Sequence, residues 1–241
     1  MTSAQSVFAG FPPEMAKFLR SLKRNNRREW FQPRKHLFDQ HVKEPMLQLI
    51  DAINADLAKF APEYVTEPKS AIFRIYRDTR FSADKTPYKT HIAGSFSRRG
   101  SERLGTGGFY FSISHDAIEV AAGIWHPDRD VTLLVRNHIA ETYAELNRIL
   151  ADKKSRKLAG ELKGGALSRS PKGFDPEHPA AEFIKMKDWV LEAALDPGLA
   201  TTPQLHRAIV ERFRAMAPLL TYLNRPLVAR KPVRDLLADH W

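Results

Sequence analysis

Cysteine is absent from the 241-residue sequence. Its absence excludes disulfide bonds, thiolate metal ligands, iron–sulfur clusters and cysteine nucleophiles. No stretch approaches the roughly 18 unbroken apolar residues that a transmembrane helix needs, and the first residues lack the basic and apolar regions of a secretory signal. We therefore expect a cytoplasmic protein with no membrane segment.

Acidic residues are in deficit: 28 Asp and Glu stand against 38 Lys and Arg, which gives a formal net charge of +10. With 43% hydrophobic and 10% aromatic residues, the chain can bury a sizeable core, so disorder of the whole molecule is excluded. The positive charge favours anionic partners. No dinucleotide or Walker phosphate loop follows a strand, and the sequence at 105–108, Gly-Thr-Gly-Gly, is too short for either and predicts a hairpin loop.

Apolar periodicity divides the chain into helical, strand and again helical parts. The first 60 residues have helical spacing, Asn26 is a predicted helix cap, and Pro45 suits a first helical turn. Period-two patterns then predict four strands: Ala71 to Tyr76, His91 to Arg98, Phe109 to His115, and Ile118 to Trp125. Short connections predict an antiparallel meander for the last three.

Helical spacing returns after Asp128 or Asp130, either of which can cap a helix to about Leu150. The segment 188–195 fits either a helix or a fifth strand, and the strand is preferred. A final helix follows Thr202 and is predicted to end at Pro226, just inside a basic C-terminal tail at 224–241. The sequence thus predicts one α+β domain over 1–241, with an antiparallel meander sheet of about four to five strands packed against N-terminal and C-terminal helices.

The densest group of chemically active side chains lies between residues 74 and 91. Arginine offers forked donors to phosphate or carboxylate, lysine adds a point charge, and tyrosine adds a ring and a hydroxyl. The candidate binding residues are Arg74, Tyr76, Arg77, Asp78, Arg80, Asp84, Lys85, Tyr88, Lys89 and His91. They predict a site for an anionic ligand, a phosphate-bearing small molecule or nucleotide, on the sheet surface.

The same residues also fit a purely structural role, in which Asp78 and Asp84 pair with the neighbouring cations and hold an irregular loop. If the site is catalytic, Arg74 and Arg77 would hold the anion, and Asp78, Asp84 or His91 would transfer protons. Neither reading identifies a reaction or a cofactor.

Several motifs resemble a widespread bacterial and fungal family of unknown function, family 2461. They are Phe8-x-Gly10-Phe11, the stretch from Phe18 to Phe31, the run RIYRDTRFSxDKTPYKT from Arg74 to Thr90, Gly107-Gly108-Phe109-Tyr110, Gly123-Ile124-Trp125, Pro171-Lys172-Gly173-Phe174 and His178-Pro179. The resemblance runs from about Phe8 to Leu223. It implies a single domain and no particular reaction.

Two further functions remain open. Residues 17–35 carry eight cations and one acid, so nonspecific nucleic-acid binding through these basic helices and the 74–103 run is one alternative. In that case Trp30 and Phe31 would stack on bases; alternatively, both side chains pack in the protein core. A scaffold whose 163–180 loop binds another protein is the third possibility. Without a recognisable ligand spacing among the nine histidines, no metal site is predicted.

Overall fold

The computed structural model of the protein describes residues 8–99 and 105–228. The basic tail beyond residue 228, and Arg103 in the 74–103 run, lie outside the described residues. The chain forms two compact units. In described residues, unit 1 comprises 8–96, 109–121 and 193–214, and unit 2 comprises 97–99, 105–108, 122–192 and 215–228. The prediction of a single domain stays a prediction.

Helices make up most of both ends of the described chain. The α-helices are α1 (Glu14–Arg24), α2 (Arg28–Phe31), α3 (Lys35–Phe38), α4 (Glu44–Phe60), α5 (Pro68–Ala71), α6 (Arg129–Ala151), α7 (Lys153–Ala159), α8 (Ala181–Ile184) and α9 (Gln204–Val228). A π-helical turn, Asp39–Lys43, joins α3 to α4, and short 3-10 segments occur at Gln32–Arg34, Pro62–Tyr64 and Pro197–Thr201.

The strands form one antiparallel sheet of five in the order β1-β2-β3-β5-β4. They are β1 (Ile92–Ser97), β2 (Gly108–Ile113), β3 (Ile118–Ile124), β4 (Leu162–Lys163) and β5 (Trp189–Leu195). The α+β prediction is confirmed, as are the meander of β1 to β3 and the preference for a strand at 188–195.

In unit 1, alternate residues of β2 point into an aromatic core. The ring centroids of Phe109 and Phe213 lie 4.6 Å apart, and those of Phe96 and Phe213 lie 5.9 Å apart. Both Phe109 and Phe111 are fully buried, whereas Tyr110 between them is half-buried. The opposite face of β2 is therefore the one that carries polar side chains.

In unit 2, side chains of α9 hold a loop and a second helix. The Asn224 amide clasps Gly107, accepting from its N–H at 2.8 Å and donating to its carbonyl at 3.1 Å. The Arg225 guanidinium donates to both carboxylate oxygens of Glu145 at 2.7 and 2.8 Å. At the start of α6, Asp128, one of the two caps that the sequence allowed, is the N-cap and accepts from the amide of Val131.

Two helix boundaries differ from the sequence prediction. Asn26 does not cap α2, which begins after Arg27 without a side-chain cap; its amide is used elsewhere, as described below. Pro226 does not end α9, which runs on to Val228 with both of its prolines inside the helix. The buried side chain of Leu227 holds this last turn in place, so packing compensates for the main-chain donor that proline removes.

The strand predicted at 71–76 is also wrong. Residues up to Ala71 form α5, and the following extended segment makes only isolated bridges, Ile72 to Gly94 and Tyr76 to Tyr88. Pro87, which faces Arg77, has no N–H with which to continue a ladder. The chain therefore turns away after two bridges. No helix within the described ranges is long and apolar enough to cross a membrane.

Candidate functional site

The loop at 77–86, here called the pinned loop, is held by its own polar side chains. The Arg77 guanidinium donates to the Asp84 carboxylate and to the Thr86 hydroxyl. Asp84 in turn accepts from the Thr86 amide at 2.9 Å. The Thr86 amide, together with Arg77, lowers the pKa of Asp84 to about 2. Arg77 and Asp84 are thus committed to one another.

A second ion pair, between Arg80 and Asp78, also lies within the pinned loop. The Arg80 guanidinium grips the Asp78 carboxylate with two donors, at 3.0 and 2.7 Å, and this contact lowers the pKa of Asp78. The Lys85 ammonium donates to the Thr79 carbonyl at 2.9 Å. Five of the predicted site residues therefore have the purely structural role that the sequence allowed as an alternative. They are Arg77, Asp78, Arg80, Asp84 and Lys85.

The pinned loop is anchored to the N-terminal helices by Asn26. Its amide donates to the Tyr88 carbonyl at 2.8 Å, and its carbonyl accepts from the Tyr88 amide at 3.0 Å. The Tyr88 ring is buried and stacks on Phe31, with centroids 4.1 Å apart. Burial raises the pKa of the Tyr88 phenol. Tyr88 is therefore a core residue and not an exposed ligand contact.

Beside this anchor lies a cavity of about 390 Å³ in unit 1, here called the basic groove. Its walls come from three parts of the chain, the α2 to α4 stretch, the 69–76 segment and the start of β1. The apolar lining consists of Phe31, Phe38, Leu47, Ile72, Ile75 and Ile92. Phe73 and Tyr76 also line it and are about two-fifths exposed, so their rings face both the groove and solvent.

Four cations and one carboxylate surround this apolar lining. The cations are Lys35, Lys43, Lys69 and Arg74, and the carboxylate is Asp39. Asp39 is engaged by Lys35, whose Nζ lies 2.5 Å from its carboxylate and whose pKa the contact raises. Within the described ranges, no carboxylate lies within 4 Å of the charged groups of the other three cations. The groove lining thus carries a surplus of positive charge, although Glu67 and Asp78, which do not line it, interact electrostatically with Lys69 and Arg74.

The structure separates the predicted site residues into groups. Arg74 and Tyr76 line the basic groove, whereas the arginines of the pinned loop are paired with its own carboxylates. Lys89 and His91 are half-buried and follow the loop. Lys43 and Lys69 were not among the predicted site residues, and Lys35 was predicted only as part of the basic 17–35 segment, because the sequence does not show that these lysines lie close to Arg74 in space. Only the spacing of Lys35, Asp39 and Lys43, four apart on a helical stretch, signals that they share a face.

The basic segment at 17–35 forms an exposed helical surface. Trp30 is half-buried and packs against Phe18, and Phe31 is fully buried. The core interpretation of these aromatics is therefore right for Phe31. In the described parts of the chain, no carboxylate lies within 4 Å of the guanidinium groups of Arg20, Arg24, Arg27 and Arg28.

His126, at the end of a strand, contacts a single carboxylate of the described residues, that of Asp188. His126 follows β3 with a positive φ of 48°, and its Nδ1 lies 3.3 Å from the buried Asp188 carboxylate. The same oxygen of Asp188 accepts from the His126 amide at 2.7 Å. Nowhere in the described residues do three or more histidine or carboxylate side chains gather as a metal site would require.

A comparison with protein-family models matches residues 14–222 to a family described as "Conserved hypothetical protein (DUF2461)". The matched range includes every residue that lines the basic groove. No curated protein and no solved structure matches the chain at a significant level.

Proposed function

The chain belongs to the DUF2461 family, whose description assigns no reaction, and from its own residues we propose that the basic groove binds a phosphate-bearing small molecule or nucleotide. The observation that carries the proposal is the surplus of positive charge around an apolar lining. An ion with a planar or apolar body matches both features, because its charged group meets the cations while the body displaces water from the lining. A cytoplasmic location is part of the same proposal.

Arg74 is the central residue of this proposal. Its planar guanidinium suits two oxygens of one phosphate, and no carboxylate of the described residues competes for it within 4 Å. Lys43 and Lys69 supply further point charges from separate elements. The rings of Phe73 and Tyr76 are the exposed aromatic surfaces on which a nucleobase would stack.

Titration calorimetry with AMP, adenosine and inorganic phosphate tests the proposal. We expect AMP to bind more tightly than either of its parts. Because a hydrogen bond to a charged group contributes about 1.5–3 kcal/mol, Arg74→Ala should weaken AMP binding by roughly tenfold or more. Arg207→Ala is the matched control, since Arg207 is exposed, pairs with Glu211 and does not line the groove.

The outcomes separate this proposal from nucleic-acid binding. If AMP and phosphate fail to bind, or bind equally well to Arg74→Ala, the groove is not the site. A single-stranded oligonucleotide should then be titrated at several salt concentrations. Affinity that falls with a log–log slope of about −0.7 per phosphate contacted, and that depends on Arg24 and Arg27 rather than Arg74, would assign nucleic-acid binding to the basic helical surface instead.

A further inference from the structure

Lys89 lies next to the basic groove in surroundings unlike those of a solvated surface lysine. Its side chain is half-buried, and its Nζ lies 4.8 Å from the ring centroid of Phe73, which lines the groove. Its main-chain N–H donates to the Ile75 carbonyl at 2.7 Å and so fixes it beside the groove segment. No carboxylate of the described residues lies within 4 Å of its Nζ.

The charged neighbours of Lys89 are mostly positive. Arg74 and Lys89 interact electrostatically, and Lys89 interacts in the same way with His91. Burial, with the positive charge of Arg74 added to it, lowers the pKa of the Lys89 amine. Burial likewise lowers the pKa of His91, with Lys89 adding to the effect and Glu119 opposing it.

The polar face of the sheet completes this cluster. Tyr110 lies against Phe73 with ring centroids 6.1 Å apart. Two residues along β2, the Ser112 hydroxyl donates to the Glu119 carboxylate of β3 at 3.2 Å. Glu119 interacts electrostatically with His91, and its carboxylate lies more than 4 Å from the Lys89 Nζ. The Lys89 amine and the Tyr110 ring therefore lie beside the exposed ring of Phe73, and His91 interacts electrostatically with Lys89.

Partial shielding from water and the neighbouring positive charge of Arg74 both favour the neutral form of the Lys89 amine, and a neutral amine is a nucleophile toward carbonyl carbon. We propose that Lys89 forms an imine with the aldehyde or keto group of an anionic ligand whose phosphate Arg74 binds. This inference rests on the proposed function, because Arg74 is the anion-binding residue in both.

The proposed step needs no oxidant or reductant. The lone pair of Lys89 Nζ forms a bond to the carbonyl carbon, and a proton passes from nitrogen to the former carbonyl oxygen to give a carbinolamine. Loss of that oxygen as water, with the second proton of the amine, leaves the carbon–nitrogen double bond. Neutral His91 is the nearby group that accepts a proton from nitrogen during the step.

Borohydride trapping with two matched aldehydes tests the inference. Pyridoxal 5′-phosphate carries both the aldehyde and a phosphate, whereas pyridoxal carries the aldehyde alone. After brief incubation at pH 7 and reduction, peptide mass spectrometry locates the added mass. We expect Lys89 to be labelled first, and at least tenfold faster by pyridoxal 5′-phosphate than by pyridoxal. The Lys89→Arg variant should lose this label, whereas Lys59→Arg, which changes an exposed lysine paired with Asp56, should keep it.

The outcomes distinguish the two proposals. Arg74→Ala should remove most of the advantage of the phosphate, and it should also slow labelling by pyridoxal at Lys89 to a smaller extent, because the charge of Arg74 lowers the pKa of Lys89. If both aldehydes label Lys89 equally fast in the wild type, Lys89 is the nucleophile but the anion site of the proposed function fails. If pyridoxal 5′-phosphate competes with AMP yet labels the lysines at random, the imine inference is overturned and the proposed function stands. Circular dichroism of each variant checks that it is folded.

Discussion

Removal of the Asn26 side chain should loosen the wall of the basic groove. In Asn26→Ala, two hydrogen bonds to the main chain of Tyr88 disappear. A typical hydrogen bond contributes about 0.5–1.5 kcal/mol net, so the free energy of unfolding should fall by roughly 1–3 kcal/mol. Because Tyr88 stacks on Phe31, which lines the groove, ligand binding in the groove should weaken as well.

Urea unfolding and amide hydrogen exchange measure the two parts of this prediction. The unfolding midpoint should fall without a change in slope, and the exchange of the Tyr88 amide should accelerate. Asn25→Ala is the matched control, because the Asn25 amide makes a single bond, to the Ser21 carbonyl at 3.0 Å within its own helix. Its loss should cost less and leave the Tyr88 amide protected.

The Asn26→Asp variant separates the contributions of the two hydrogen bonds. It keeps an acceptor for the Tyr88 amide but replaces the donor to the Tyr88 carbonyl by a second oxygen. Most of the stability loss should therefore remain, while exchange of the Tyr88 amide stays slow. If Asn25→Ala and Asn26→Ala lose equal stability, or if the Tyr88 amide exchanges at the wild-type rate in Asn26→Ala, the anchoring argument is refuted.

Two further predictions concern the pinned loop and the glycine turn of unit 2. The pKa of Asp84 is about 2 in the folded protein and about 3.9 in the unfolded chain, so its contribution to stability is full above about pH 4 and declines as pH falls toward 2. The NMR chemical shift of the Thr86 amide should therefore change little between pH 5 and pH 3. A titration midpoint near pH 4 would contradict the pairing of Asp84 with Arg77 and Thr86. A Cβ at Gly107 would lie 2.5 Å from the Gly123 carbonyl oxygen, so Gly107→Ala should lower the free energy of unfolding by about 1–3 kcal/mol. Urea unfolding measures this loss. Gly165→Ala is the control, because its Cβ would meet nothing closer than 3.7 Å.

The elements that the sequence predicts well are those whose pattern is local. The apolar faces of α1, α4 and α9 repeat over several turns, and the strands β1 to β3 are bounded by clear turns. The failures involve partners that are distant in sequence. Asn26 has the local signature of a cap, yet its partner is Tyr88, 62 positions away. The alternation at 71–76 resembles a strand, but Pro87 on the facing segment removes a ladder donor.

The site shows the same division. The Arg77–Asp84 and Arg80–Asp78 pairs join residues within seven positions of each other, and the sequence analysis anticipated them as one of two alternatives. The basic groove was beyond prediction, because Lys43, Lys69 and Arg74 meet only after α4 and α5 have packed beside β1. A run of charges in a sequence therefore identifies a loop more readily than a cavity.

The pinned loop also changes what the net charge of this chain means to an approaching ligand. Arg77 and Arg80 count fully in the formal +10, but each already faces a carboxylate, so at a distance each pair acts as a weak dipole. Arg74 and Lys43 count no more in the sum, yet neither has a carboxylate of the described residues within 4 Å, so more of their charge acts on the groove. Two proteins of equal isoelectric point can therefore differ widely in long-range attraction, according to how many of their cations are already neutralised by their own loops.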